Sequence, residues 1–149
     1  MISRRNAFRR LLTLAGAAIA GRASSAAAAT APGVPRVAYH LSDLDKVRFV
    51  LGNIENHVAG EGGPGKVDIV LIVNGPALAA FRISRAEADL ATRLAGIARS
   101  GVALGACGNT LDAQKIAVVD LLPGFVRIEE GGVVRLARLQ AEGYAYLRP

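Results

Sequence analysis

Cys107 is the residue of this chain whose type and position best suit covalent chemistry. It is the only cysteine among the 149 residues, and in segment 101–110 (GVALGACGNT) it follows a short apolar run and precedes Gly-Asn-Thr. This pattern predicts a buried strand that leads directly into a helix. Backbone N–H groups and the helix dipole at a helix start favour a thiolate over a thiol. We therefore expect a nucleophilic sulfur at the carboxyl edge of a sheet.

Two other predicted strands end in polar residues. His40 lies at the end of the first strand, and Asn74 directly follows the second. Because the carboxyl ends of parallel strands meet at one edge of a sheet, we expect both residues on the edge that carries Cys107. Around the catalytic candidate Cys107, the candidate binding residues are His40, Asn74, Gly108, Asn109 and Thr110.

The residues next to the cysteine suggest how an anion would be held. Gly105 and Gly108 flank the thiol with little bulk, which favours steric access to it. Asn109 is predicted to cap the following helix, and the N–H groups of Asn109 and Thr110 would then face a sulfur anion or an oxyanion.

Each candidate also has a purely structural interpretation. Cys107 would then be a small buried hydrophobic residue at a strand end. His40 would be satisfied by a backbone carbonyl, and Asn74 would only form the Asn-Gly-Pro turn. The residue types alone leave both interpretations open.

Strand and helix patterns alternate along the chain after residue 35. Strands are predicted at 36–41, 67–73, 102–106, 125–128 and 144–147, and helices from Ser42 to about Val58, Ser84 to about Arg99, Asn109 to about Leu121 and Val133 to Glu142. Ser-x-x-Asp, Ser-x-x-Glu and Asn-x-x-Asp spacings predict capping boxes at the first three helix starts, and Gly143 is predicted to end the last helix. The alternation predicts an α/β fold, a three-layer flavodoxin-like sandwich whose mostly parallel five-stranded sheet has helices on both faces.

Residues 1–31 have the composition of an export signal. Arg4 and Arg5 lie in a cationic start, Leu11–Ala20 is apolar but too short to span a bilayer, and an Ala-rich stretch with A-x-A sites follows. The pattern predicts a twin-arginine-type signal peptide with its cleavage region at 1–31, an α/β domain at 32–149, a periplasmic location and no stable membrane span after cleavage. An uncleaved amphipathic anchor fits less well, because the stretch has no acidic or polar face.

The charge balance argues against nucleic acid as a partner. The chain carries 18 basic and 12 acidic residues, but five of the basic ones lie in residues 1–31, which leaves 13 basic against 12 acidic. One cysteine and two histidines at these spacings are not a recognisable metal-ligand set. The sequence has no Walker-A motif, and the Gly-rich run at 60–65 (GEGGPG) does not lie between an apolar strand and a helix start, so we interpret it as a loop and expect no cofactor.

Several segments together resemble the DsrE/DsrF-like family. They are 39–43 (YHLSD), 53–57 (NIENH), 74–78 (NGPAL), 106–110 (ACGNT), 121–125 (LLPGF), 130–134 (EGGVV) and 143–147 (GYAYL), and the likeness extends from about Val34 to Pro149. The resemblance implies a flavodoxin-like fold, assembly into homo-oligomers and sulfur-relay chemistry in which a cysteine carries a persulfide. Cys107 matches the position of the family's cysteine.

Two functional hypotheses follow. In the first, the chain is an exported persulfide carrier or sulfurtransferase-like protein that uses Cys107 and meets a sulfur donor or acceptor protein. In the second, it is a non-enzymatic oligomeric binding or assembly module with a structural cysteine. The sequence leaves open whether the protein is an enzyme.

Overall fold

The computed structural model describes residues 33–149, so the predicted signal peptide and its cleavage region at 1–31 lie outside the described residues. The strands and helices are β1 (Arg36–Leu41), α1 (Val47–Gly60), β2 (Asp68–Val73), α2 (Ala88–Arg99), β3 (Ala103–Cys107), α3 (Gly108–Gln114), β4 (Phe125–Ile128), α4 (Gly132–Ala141) and β5 (Ala145–Leu147). Short 3₁₀ turns occupy Leu44–Lys46, Gly75–Phe81 and Val118–Asp120. No helix in this part of the chain has the length and apolar character needed to cross a membrane.

The five strands form one sheet in the order β4-β3-β2-β1-β5, and every neighbouring pair is parallel. From β1 to β4 the chain adds each strand on the same side of the last. It then crosses back over the sheet to place β5 beside β1. Right-handed crossovers put α1, α2 and α3 on one face and α4 on the other. The predicted three-layer flavodoxin-like sandwich is confirmed, and its sheet is entirely parallel.

The larger core lies on the face covered by α1, α2 and α3. Alternate strand residues such as Leu41 and Leu71 point into it, and Ile54 of α1 and Leu94 of α2 pack on them. These four side chains are at most 1% exposed. Burial of each contributes roughly 1.5–3 kcal/mol relative to leaving it in water, so this face supplies most of the hydrophobic stabilisation.

The smaller core lies between the sheet and α4. Ala38 and Ile72 of the sheet pack against Leu136 and Leu139 of the helix. Among the described helices α4 alone covers this face, and Val126 of β4 stays 65% exposed beside it. The opposite side of the sheet therefore holds most of the core, while the α4 face retains exposed apolar surface.

The first two predicted capping boxes are wrong. Neither α1 nor α2 has a side-chain cap: α1 follows the 3₁₀ turn and starts at Val47, and α2 starts at Ala88. The Ser42 hydroxyl is engaged instead with side chains at the sheet edge. The carboxylate of Glu87 binds Arg48. In both places a tertiary partner competes successfully with the local cap.

The third helix is shorter than predicted. It ends at Gln114 rather than near Leu121, because Lys115 adopts a left-handed conformation with φ 53°. The N–H of Ile116 then closes the turn on the carbonyl of Leu111. Asn109 does not cap this helix either, since Cys107 occupies the capping position. The predicted helix stop at Gly143 is confirmed: α4 ends at Ala141, Glu142 is the C-cap, and Gly143 follows with φ 92°.

The strained residue at the end of α3 gives a testable prediction. Lys115→Gly should raise the free energy of unfolding by up to about 1 kcal/mol, because glycine adopts the left-handed conformation without a Cβ clash. Urea denaturation of the two proteins measures the difference. Lys66→Gly is the matched control at a loop position outside the left-handed region. A Lys115→Gly protein no more stable than the Lys66→Gly control would contradict the prediction.

Candidate functional site

Three neighbouring strands deliver polar side chains to one edge of the α4 face. Cys107 is the last residue of β3, Asn74 directly follows β2, and His40 lies one residue before the end of β1. Strand alternation puts all three on the side of the sheet that Ala38 and Ile72 face. Since β3, β2 and β1 are adjacent, the three residues form a row, and the structure brings these sequence-predicted residues together.

Cys107 lies at the starts of two helices. It directly precedes α3, and its Sγ accepts a hydrogen bond of 3.1 Å from the N–H of Gly132, the first residue of α4. A Cβ built on Gly132 would lie only 3.3 Å from the Cβ of Cys107. The helix can approach the sulfur this closely because residue 132 has no side chain.

The surroundings of Cys107 favour its charged form. Burial raises the pKa of the thiol. The opposing effect of the Gly132 N–H, the hydroxyl and N–H of Thr110 and the N–H of Asn109 is larger, so the pKa lies below the ordinary value. The Gly132 bond has regular hydrogen-bond geometry, whereas the groups of α3 do not form a cap bond and act as weaker contacts. The Thr110 oxygen already accepts the N–H of Gly75 at 3.0 Å, which leaves its own O–H for the sulfur.

His40 belongs to a hydrogen-bonded cluster that includes Asn74. Its Nδ1 lies 2.8 Å from the hydroxyl of Tyr146, and its Nε2 lies 2.9 Å from Ser42 Oγ and 3.1 Å from Asn74 Oδ1. Ser42 donates to the same Oδ1 at 2.5 Å. The proton arrangement that satisfies every contact has Nε2–H donating and Tyr146 O–H donating to Nδ1. The purely structural interpretation expected His40 to bond a backbone carbonyl, but its partners are side chains.

The imidazole of His40 is held in its neutral form. The side chain is buried, and this burial lowers its pKa below the usual value. The charge of Arg148 lowers the pKa as well, while the bond to Asn74 and the charge of Asp43 raise it by less. At neutral pH the ring acts as a donor and acceptor within the cluster.

The glycines beside the thiol do not open a path to it. A Cβ on Gly105 would lie 2.8 Å from Ile72 Cδ1, and one on Gly108 would lie 2.7 Å from the carbonyl oxygen of Ile128. Both spaces are filled by the packed structure, so the expected role of these residues in steric access is wrong. Cys107 is 5% exposed. Its small neighbours permit close packing of β4 and the core around the sulfur.

Gly132, Ser42 and Tyr146 complete the site and were not among the predicted site residues. Tyr146 reaches His40 only because β5 returns beside β1, which the sequence does not specify. Ser42 was assigned to a helix cap. The signal for Gly132 was the Gly131-Gly132 pair before a helix, since two successive glycines allow a backbone to approach a neighbour closely.

The site offers a thiolate nucleophile with hydrogen-bond donors around it. Among residues 33–149, no group of three or more His, Cys, Asp or Glu side chains is placed to hold a metal ion. Two surface cavities, of about 440 and 370 Å³, are lined by residues of α1, α2 and their flanking loops, and neither includes Cys107. The groups that the structure places around the sulfur are therefore its hydrogen-bond donors.

These features define a flavodoxin-like α/β sandwich with one acidified thiol at the carboxyl edge of its sheet. Neither protein-family profiles nor curated proteins match the sequence. Among solved structures, the chain is similar to MTH1491 of Methanobacterium thermoautotrophicum, a protein of unknown function, with a TM-score of 0.67 and 28% identity over 77% of this chain and 99% of that one.

Two more distant structures have the same fold. E. coli YchN matches with a TM-score of 0.58 and 15% identity over 77% of this chain and 99% of its own. BT1422 of Bacteroides thetaiotaomicron, a protein of unknown function, matches with a TM-score of 0.58 and 15% identity over 76% and 93%. All three are proteins of DsrE-like fold. These similarities show the fold of the chain.

The contact between Gly132 and the sulfur predicts the effect of a methyl group. Gly132→Ala should raise the pKa of Cys107, because the added Cβ would press on Ile72 and Cys107 at 3.2–3.3 Å and move the N–H away from Sγ. Overpacking of this kind also costs about 1–3 kcal/mol of stability. The pH dependence of iodoacetamide labelling of the native protein measures the pKa. Gly96→Ala on α2 is the control, and an unchanged midpoint in Gly132→Ala would refute the prediction.

Burial of neutral His40 predicts how stability depends on pH. Above a pH of about 6.5, the ordinary pKa of histidine, the ring is neutral in both states. As the pH falls from there towards the lower pKa of the folded state, the unfolded chain binds the proton first and stability decreases. Denaturant titrations between pH 8 and 5 should show a smaller loss for His40→Gln, with His57→Gln measured in parallel. Equal losses in wild type and His40→Gln would contradict this account.

Proposed function

We propose that this protein is a sulfur carrier or sulfurtransferase-like protein of the DsrE/DsrF-like type, with Cys107 carrying the sulfur as a persulfide. The observation that carries the proposal is the placement of Cys107 at two helix starts, where hydrogen-bond donors lower its pKa in spite of burial. Sulfur transfer needs a thiolate, since the thiolate is the nucleophilic form.

The proposed reaction uses a sulfane sulfur donor such as thiosulfate. The thiolate of Cys107 attacks the outer sulfur of thiosulfate and forms a new S–S bond. The old S–S bond breaks, sulfite leaves with its electron pair, and the product is a Cys107 persulfide anion. An acceptor thiolate then attacks the outer sulfur of the persulfide, which regenerates the Cys107 thiolate. No proton, oxidant or reductant is consumed in either step.

Membership of the DsrE/DsrF-like family is part of the proposal. It is supported by the sequence resemblance across the domain and by the fold shared with MTH1491 at 28% identity. Export to the periplasm is also part of it and rests on the composition of residues 1–31 alone. A sulfur donor or acceptor protein would be the partner of such a carrier.

A second candidate function is a non-enzymatic oligomeric module. Two observations favour it: Cys107 is only 5% exposed, and the α4 side presents Val126 and Val133 with exposures of 65% and 70%. In this case the thiol would be a packing residue, and the apolar surface would be covered by another copy of the chain.

The two functions differ in what happens to the native thiol. With thiosulfate or polysulfide, we expect intact-mass spectrometry to show a single adduct of one sulfur atom, ~32 Da, on the protein. Cys107→Ala should carry no adduct. Wild-type protein that takes up no sulfur from either donor, and whose thiol reacts with iodoacetamide only after denaturation, would refute the carrier function and favour the oligomeric module.

A further inference from the structure

The amide of Asn74 has a fixed orientation. Its Oδ1 accepts hydrogen bonds from Ser42 Oγ at 2.5 Å and from His40 Nε2 at 3.1 Å. Both donors come from β1 and the residues that follow it, so the oxygen is held towards β1. Because the amide is planar, its Nδ2 lies on the side away from these donors, and β3 lies on that side of β2.

The amide nitrogen is available to a ligand. Among residues 33–149, Arg82 Nε is the one buried side-chain nitrogen or oxygen without a hydrogen-bond partner. The Nδ2 of Asn74 has no protein acceptor in this part of the chain and is absent from that buried class, so it retains contact with solvent. Among the described residues, this half-buried amide thus keeps two N–H donors that no protein group uses.

Cys107 lies at the end of β3, the strand on that side of β2. A Cβ built on Gly132 would lie 3.3 Å from the Cβ of Cys107 and 3.6 Å from the Cβ of Asn74, so both side chains start beside the same point of α4. The outer sulfur of a persulfide extends about 2 Å beyond Sγ. An amide that begins on the adjacent strand is within reach of an atom in that position.

Sulfur transfer moves the negative charge from Sγ of Cys107 to the outer sulfur of the persulfide. The hydrogen-bond donors described around Sγ stabilise the charge before this transfer. Before transfer the charge is on Sγ, where Gly132, Thr110 and Asn109 stabilise it. After transfer the charge is on the outer sulfur, which needs a donor of its own. The Asn74 amide has a fixed orientation and makes no hydrogen bond to Sγ, so it suits the outer sulfur.

We infer that the Asn74 amide donates a hydrogen bond to the outer sulfur of the Cys107 persulfide, and that Ser42 and His40 are positioning residues that orient this amide. The inference rests on the proposed function and adds to it a binding group for anionic terminal sulfur. It assigns Asn74, Ser42 and His40 a role after sulfur transfer rather than in activation of the thiol.

The test separates persulfide stability from thiolate reactivity. For wild type and Asn74→Ala, the fraction of persulfide at equilibrium with thiosulfate and sulfite is measured by intact mass, and the thiolate by its iodoacetamide rate. Loss of one hydrogen bond to a charged group should lower the persulfide-to-thiolate ratio about tenfold, with the iodoacetamide rate changed less than twofold. Asn56→Ala on the exposed side of α1 is the matched control.

Variants of Ser42 test whether its hydroxyl orients the Asn74 amide. Ser42→Ala should lower the persulfide ratio in the same direction while the iodoacetamide rate stays near wild type, and Ser42→Thr, which keeps the hydroxyl, should restore it. This pair also keeps the inference testable if Asn74→Ala does not fold.

The outcomes distinguish the two proposals. Wild type with no persulfide would overturn both. A persulfide in wild type with an unchanged ratio in Asn74→Ala, or in Ser42→Ala where Asn74→Ala does not fold, would overturn this inference alone. Equal losses of persulfide and of iodoacetamide rate would also overturn it, because they would show a general disturbance of the thiol.

Discussion

The close approach of Gly132 to Cys107 is the contact on which the rest of the site depends. It joins the first residue of the helix that covers the second face to the last residue of a central strand. The approach requires a residue without a side chain at 132, and Gly131 before it has φ 87°, a conformation that favours glycine. One backbone contact thus joins the start of α4 to the sulfur and lowers the pKa of the thiol.

The order of the strands produces the other half of the site. Because the chain crosses back after β4, α4 covers the face of the sheet that carries His40 and Asn74, and β5 pairs with β1. Tyr146 then supplies the partner of His40 Nδ1. A sheet in which β5 simply followed β4 would leave this histidine without that hydroxyl. The same crossover therefore brings α4 to the sulfur of Cys107 and Tyr146 to His40.

The sequence predicted the elements well where a pattern is local. The apolar run at Val67–Val73 became β2, and Gly143 ended α4 as expected. It failed where a tertiary partner decides: Ser42 bonds Asn74 instead of capping a helix, and Lys115 ends α3 in spite of its Cβ. The row of His40, Asn74 and Cys107 followed from parallel strand ends, but Tyr146 depended on strand order, which no local spacing encodes.

The choice of cysteine at this position is itself an argument about function. The residue before a helix is usually Ser, Thr, Asp or Asn, whose oxygens accept the first free N–H groups. A neutral thiol is a weak acceptor, and Cys107 makes no regular cap bond to α3. A purely structural cap would therefore be better served by an oxygen. The thiolate is the form of cysteine that N–H groups at a helix start stabilise well, and the surroundings of Cys107 lower its pKa in that direction.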